Sequence, residues 1–163
     1  MVGRLLYVVL ASVLPVAAAA AEFPKQGTAN YTTYYVTTAS QSMTLGERKY
    51  TTYEVTGVTR NDDGKDPFNN MGVRCLGTVE ALGGGTTFHG ACSEMDQDGD
   101  QVFTTYEAKG TTAAAVAGTH AFVGGTGKYK GITGNAEYTR QAVKGPDNAL
   151  MAVVPHHATW SLP

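Results

Sequence analysis

The sequence has 163 residues, with 12 Lys and Arg against 14 Asp and Glu and a formal net charge of −2. That balance offers no basic field to nucleic acid, and the length suits one domain with its own core rather than two. With 20 glycines and 9 tyrosines, abundant threonine, little leucine and no long apolar pattern of helical period, the composition favours strands and turns.

The N-terminus, MVGRLLYVVLASVLPVAAAAAEFP, sets one cation, Arg4, before an apolar run that ends in small residues ahead of Glu22. This is the layout of a secretory signal peptide cleaved at Ala21 or one or two residues earlier. An uncleaved anchor is disfavoured because the run falls short of the roughly 20 residues a spanning helix needs. Residues 1–21 are therefore read as the signal and residues 22–163 as a single β-barrel domain, secreted or periplasmic, with no membrane association after cleavage. Without Arg4 the remainder carries 11 basic and 14 acidic residues, so nucleic acid is not an expected partner.

Three segments share one strand word: YTTYYVTT (Tyr31 to Thr38), YTTYEVTG (Tyr50 to Gly57) and FTTYEAKG (Phe103 to Gly110). Their spacing is too unequal for a solenoid of fixed period. Turn signals at Arg60 to Asn70, Gly83 to Gly85, Asp96 to Asp100, Gly124 to Gly131 and Lys144 to Ala149 divide the chain into about eight strands, a number that suits a small closed barrel without exposed edges.

The central region can be placed in register. With Gly83-Gly84 as a two-residue turn, Cys75 falls directly opposite Cys92 in a non-hydrogen-bonded pair, where Cα atoms lie about 4.5 Å apart. A disulfide fits that separation, and export supports it; the alternative is two buried thiols. The same register puts Val73, Cys75, Gly77, Val79 and Ala81 on one face with Phe88, Gly90, Cys92 and Glu94, read as the interior. Gly77 and Gly90 then oppose each other, which implies empty space inside.

Asp98-Gly99 reads as a second two-residue turn, extending the inner face through Phe103, Thr105 and Glu107 and setting Glu107 beside Gly90. A carboxylate among apolar side chains and glycines has a raised pKa and can move protons. A one-residue slip at that turn reverses the assignment, putting Tyr106 inside and Glu107 in water. Both registers stay open at this point.

The DQDGD aspartates lack the glycine and glutamate spacing of an EF-hand, and His156 and His157 point to opposite sides of a strand, so no metal is expected. No G-x-S-x-G nucleophile occurs. The segment FVGGTGKYKGITG fails the P-loop pattern twice, at Phe122 and at Tyr129, and misses G-x-G-x-x-G by one residue. Its glycines, Gly124, Gly125, Gly127, Gly131 and Gly134, are read as turn residues.

That segment, GGTGKYKGITG at Gly124 to Gly134, resembles the glycine signature of the allene oxide cyclase and dirigent-like barrels. The chain is similar to the small exported bacterial members of that superfamily. The resemblance implies an all-β, eight-stranded antiparallel barrel of allene oxide cyclase/dirigent type, without a cofactor, with an apolar lumen and self-association as a homotrimer or homodimer. In plants such barrels steer cyclisation of an unsaturated epoxide or coupling of phenoxy radicals by holding the substrate's shape. The motif is architectural, so activity does not transfer with it.

The reading is an exported barrel that binds a small apolar or aromatic molecule in its lumen, lined by Val79, Phe88, Phe103, Gly77 and Gly90. The alternatives are a cofactor-independent isomerase or cyclase using Glu107 and Glu94, and an interaction module whose lumen is filled by tyrosines.

Overall fold

Alternation of apolar or aromatic with polar residues produces eight strands in the computed structural model, which describes residues 23–65, 67–111 and 116–163; the expected signal peptide lies outside them. The strands are β1 (Gln26–Leu45), β2 (Arg48–Asn61), β3 (Gly72–Leu82), β4 (Gly85–Met95), β5 (Gln101–Thr111), β6 (Val116–Gly125), β7 (Thr133–Lys144) and β8 (Leu150–Ser161). Each pairs antiparallel with the next, and β8 returns to β1 to close the barrel. The chain is thus the all-β, eight-stranded antiparallel barrel that the sequence implies. In β1 a bulge between Thr37 and Ala39 absorbs one residue, so that Ser40 and Ser42 continue on the inner face after Thr37.

The β3–β4 hairpin has the expected register. Gly83 and Gly84 both take positive φ, 57° and 79°, as a two-residue primed turn requires. Cys75 therefore pairs with Cys92, and the two are joined as a disulfide with Cα atoms 4.1 Å apart.

The β4–β5 connection differs from the two-residue Asp98-Gly99 turn expected. Strand pairing ends at Met95 with Gln101, leaving residues 96–100 as the loop. The cause is Asp96, whose Oδ1 accepts the backbone N–H groups of Asp98 and Asp100 at 2.9 and 3.0 Å. The Lys128 ammonium then bridges Asp96 and Asp98 at 2.7 and 2.8 Å. These bonds favour the wider turn, and the one-residue difference turns every β5 side chain over. Val102, Thr104, Tyr106 and Ala108 face inward, whereas Phe103 and Glu107 face outward. Glu107 sits opposite His89, 3.8 Å from its ring and largely in solvent.

The glycine segment makes the turns that carry β6 into β7. Gly124, Gly127, Gly131 and Gly134 take positive φ. At Gly127 a side chain would also collide with the Asp100 carboxylate, and at Gly134 with the Thr159 carbonyl. Lys128 holds aspartates here, and its own backbone N–H donates to Asp100 Oδ2 at 3.1 Å.

One end of the barrel is closed by its connections. The β2–β3 loop folds inward through Phe68 and Met71, and the β6–β7 segment through Tyr129 and Ile132; these pack with Tyr31, Val102, Phe122 and Trp160 into one cluster. Phe68 stacks between Tyr31 and Phe122, with ring centroids 4.8 and 5.5 Å away, and meets the edge of Trp160 at 5.7 Å. At the opposite end β1 joins β2 and β3 joins β4 by two-residue turns, which are too short to reach the interior. The β7–β8 turn buries no side chain either, so among the described residues that end is open.

Candidate functional site

Above the closed end the inner faces enclose a cavity of about 350 Å³. Tyr35 of β1, Tyr53 of β2, Phe88 of β4, Tyr106 of β5 and Tyr138 of β7 form its aromatic wall, with Val79, Ala108, Val116 and Val154 between them and the disulfide exposed on one side. Ser40, Ser42, Lys49, Thr51 and Arg140 also line it, from the strand ends nearer the hairpin turns.

Two of the wall's hydroxyls are paired. Tyr53 and Tyr106 share a hydrogen bond of 2.5 Å, and the Tyr35 hydroxyl lies 3.7 Å from Cys75 Sγ. Burial raises the pKa of Tyr35, Tyr53, Tyr106 and Tyr138 above the ordinary phenol value, so the wall is neutral and donates hydrogen bonds. His120 of β6 also lines the cavity, its Nδ1 3.0 Å from Thr104 Oγ1. Its ring lies 4.9 Å from Tyr138 and 5.3 Å from Tyr106. Burial lowers its pKa to about 4, which leaves a neutral imidazole at neutral pH.

A polar layer adjoins the two clusters. Glu94 is 2% exposed, and its Oε2 has no hydrogen-bond partner among the described residues. Burial raises its pKa to about 7, and its charge adds to the burial that raises Tyr31 and Tyr35. His156 stacks on Tyr31 at 4.4 Å and meets His120 edge-on at 5.3 Å. Burial, then the neighbouring His120, push His156 well below the ordinary imidazole range.

The expected site residues divide three ways. Val79 and Phe88 line the cavity. Gly77 and Gly90 face the interior, but their space is taken: a side chain at either would strike the Tyr106 hydroxyl, and at Gly77 also Tyr53. These glycines admit the tyrosine rings rather than leave a void. Phe103 and Glu107 are corrected to the outer surface by the β4–β5 register, and Glu94, though interior, is not among the residues that line the cavity.

The wall residues missed are Tyr35, Tyr53, Tyr138, His120 and Arg140, whereas Tyr106 is the interior residue of the second register left open above. A signal for Tyr53 and Tyr106 lay in the shared word. In YTTYEV and FTTYEA the fourth-position tyrosine precedes a glutamate, and alternation that puts the acid outside puts the tyrosine inside. Glu54 does face outward, with its Oε2 2.8 Å from Arg74 Nη2. Tyr53 and Tyr106 accordingly meet in the lumen.

No family model matches the sequence, and no curated protein matches it. Among solved structures the chain is similar to the pterocarpan synthase dirigent protein GePTS1, with a TM-score of 0.53 and 11% identity over 93% of this chain and 98% of that one. At that identity the likeness shows the fold alone: this is a dirigent-like β-barrel.

Proposed function

We propose that the protein is an exported barrel that holds a small apolar or aromatic molecule in its lumen. The observation that carries this reading is the cavity itself, about 350 Å³ and walled by aromatic rings, within the size range of small-molecule sites. The four tyrosines line that space without filling it, which favours binding over a purely structural module. The signal-like N-terminus and the disulfide support export to an oxidising compartment.

The isomerase alternative has lost Glu107 to the outer surface and finds Glu94 outside the cavity lining. Its remaining titratable histidine on the wall is His120. Self-association is supported by the outer face, where Tyr34, Val36 and Val58 are exposed beside Met151 and Val143.

Titration of the mature chain with the neutral fluorophore N-phenyl-1-naphthylamine tests the binding reading. Saturable uptake is expected, and Val79→Trp should weaken it roughly tenfold or more by occupying the cavity. Uptake that never saturates, or that is indifferent to Val79→Trp in a folded variant, would overturn it. A native mass spectrum of protein from its own host reads copurified ligand and subunit number together.

A further inference from the structure

Resting on that lumen-binding reading, we infer that the occupant is an aromatic acid, its ring among the tyrosines and its carboxylate held by Arg140. The charges of the cavity point this way. Among the described residues its lining includes two cations, Lys49 and Arg140, and no Asp or Glu. Neither cation forms a salt bridge among the described residues, whereas Arg48, Arg74 and Lys128 do.

Arg140 is moreover directed across the opening. It belongs to β7, yet its guanidinium carbon lies 5.9 Å from the ring of Phe88, three strands away on β4. Its charge also reaches Tyr53 on β2 and Tyr138 on its own strand, where it opposes the burial that raises both phenols. A half-buried guanidinium held over a mostly apolar space, and without a carboxylate partner, is a preformed site for one anionic group. Because one hydroxyl hydrogen of the Tyr53–Tyr106 pair is already used and the rest of the wall is largely carbon, the wall below asks chiefly for apolar or aromatic surface. A planar ring with one carboxylate meets both demands, and a cationic ligand fails the first.

The test compares 2-naphthoic acid with 2-naphthamide, which share a ring and differ in charge, by calorimetric titration of the mature chain. The acid should bind at least roughly tenfold more tightly than the amide, and Arg140→Gln should bring that ratio close to one, with Lys49→Gln reducing it less. Equal affinities in the wild type, or an acid preference untouched in Arg140→Gln, would overturn the inference while leaving the lumen reading in place. Failure of both compounds and of the neutral fluorophore would remove the two together. Cooperative thermal unfolding shows whether the Arg140 variant is intact, and the wild-type comparison decides the matter even if it is not.

Discussion

The two ends of this barrel are built from the same strands and filled by opposite means. At the closed end the connections are long enough to turn back, and they deliver Phe68, Met71, Tyr129 and Ile132 to a core in which each is at most 1% exposed. At the open end the two-residue β1–β2 and β3–β4 turns and the five-residue β7–β8 turn bury no side chain, so among the described residues only strand side chains project inward and a cavity remains. The difference teaches that in a small barrel the lumen's contents are set by which connections fold inward as much as by strand sequence. Stability is concentrated where they turn in, and space where they do not.

The largest effect should come from emptying the closed end. Phe68→Ala or Trp160→Ala leaves a hole among interlocked rings and should cost about 3–5 kcal/mol in urea denaturation. Phe88→Ala, on the half-exposed cavity wall, should cost well under half of that. Equal losses at Phe68 and Phe88 would erase the distinction between the ends.

The polar layer gives the next effect. Because Glu94 holds its proton up to about pH 7 in the folded chain, against an ordinary 4.5, its burial is harmless in acid and lowers stability as pH rises between those values. His120 and His156, with lowered pKa values, act in the opposite sense: their contribution is full above the ordinary imidazole range and is lost as pH falls, for His120 through about pH 4. Glu94→Gln keeps the histidine limb and removes the other. Between about pH 5 and pH 8 the variant should gain about 2–3 kcal/mol relative to wild type, read from denaturation at the two pH values.

The smallest effect belongs to the turn that set the β5 register. Lys128→Met frees Asp96 and Asp98 from their shared cation and should lower stability by about 1 kcal/mol. Added salt should weaken the wild type toward the variant. If the variant instead loses several kcal/mol, the β4–β5 turn supports the closed end more than the packing indicates.

Much of this architecture was legible in the sequence. Strand number, the Gly83-Gly84 turn and the Cys75–Cys92 pairing follow from period and turn chemistry, which act over a few residues. The inner face of β5 stayed open between two registers, because it depends on Asp96 and Lys128, far apart in sequence, meeting across a turn that the dipeptide Asp98-Gly99 alone does not define. Of the two registers left open, the structure takes the one with Tyr106 inside and Glu107 in water. Arg140 escaped notice for a different reason: nothing local in YTRQAV distinguishes a cation that crosses a lumen from one that faces water.

Seven of the barrel's eight seams join strands that are neighbours in the chain, but the eighth pairs Gln26 with Ser161. Loop-closure entropy makes such a contact slow to form, so the β1–β8 seam is expected to zip last, after the β3–β4 hairpin has already locked itself through a disulfide spanning 17 residues. Until then the lumen is a trough. A molecule present during that interval can be enclosed sideways as the seam shuts, with no need to pass beneath Arg140, so folding itself offers a second way into the cavity.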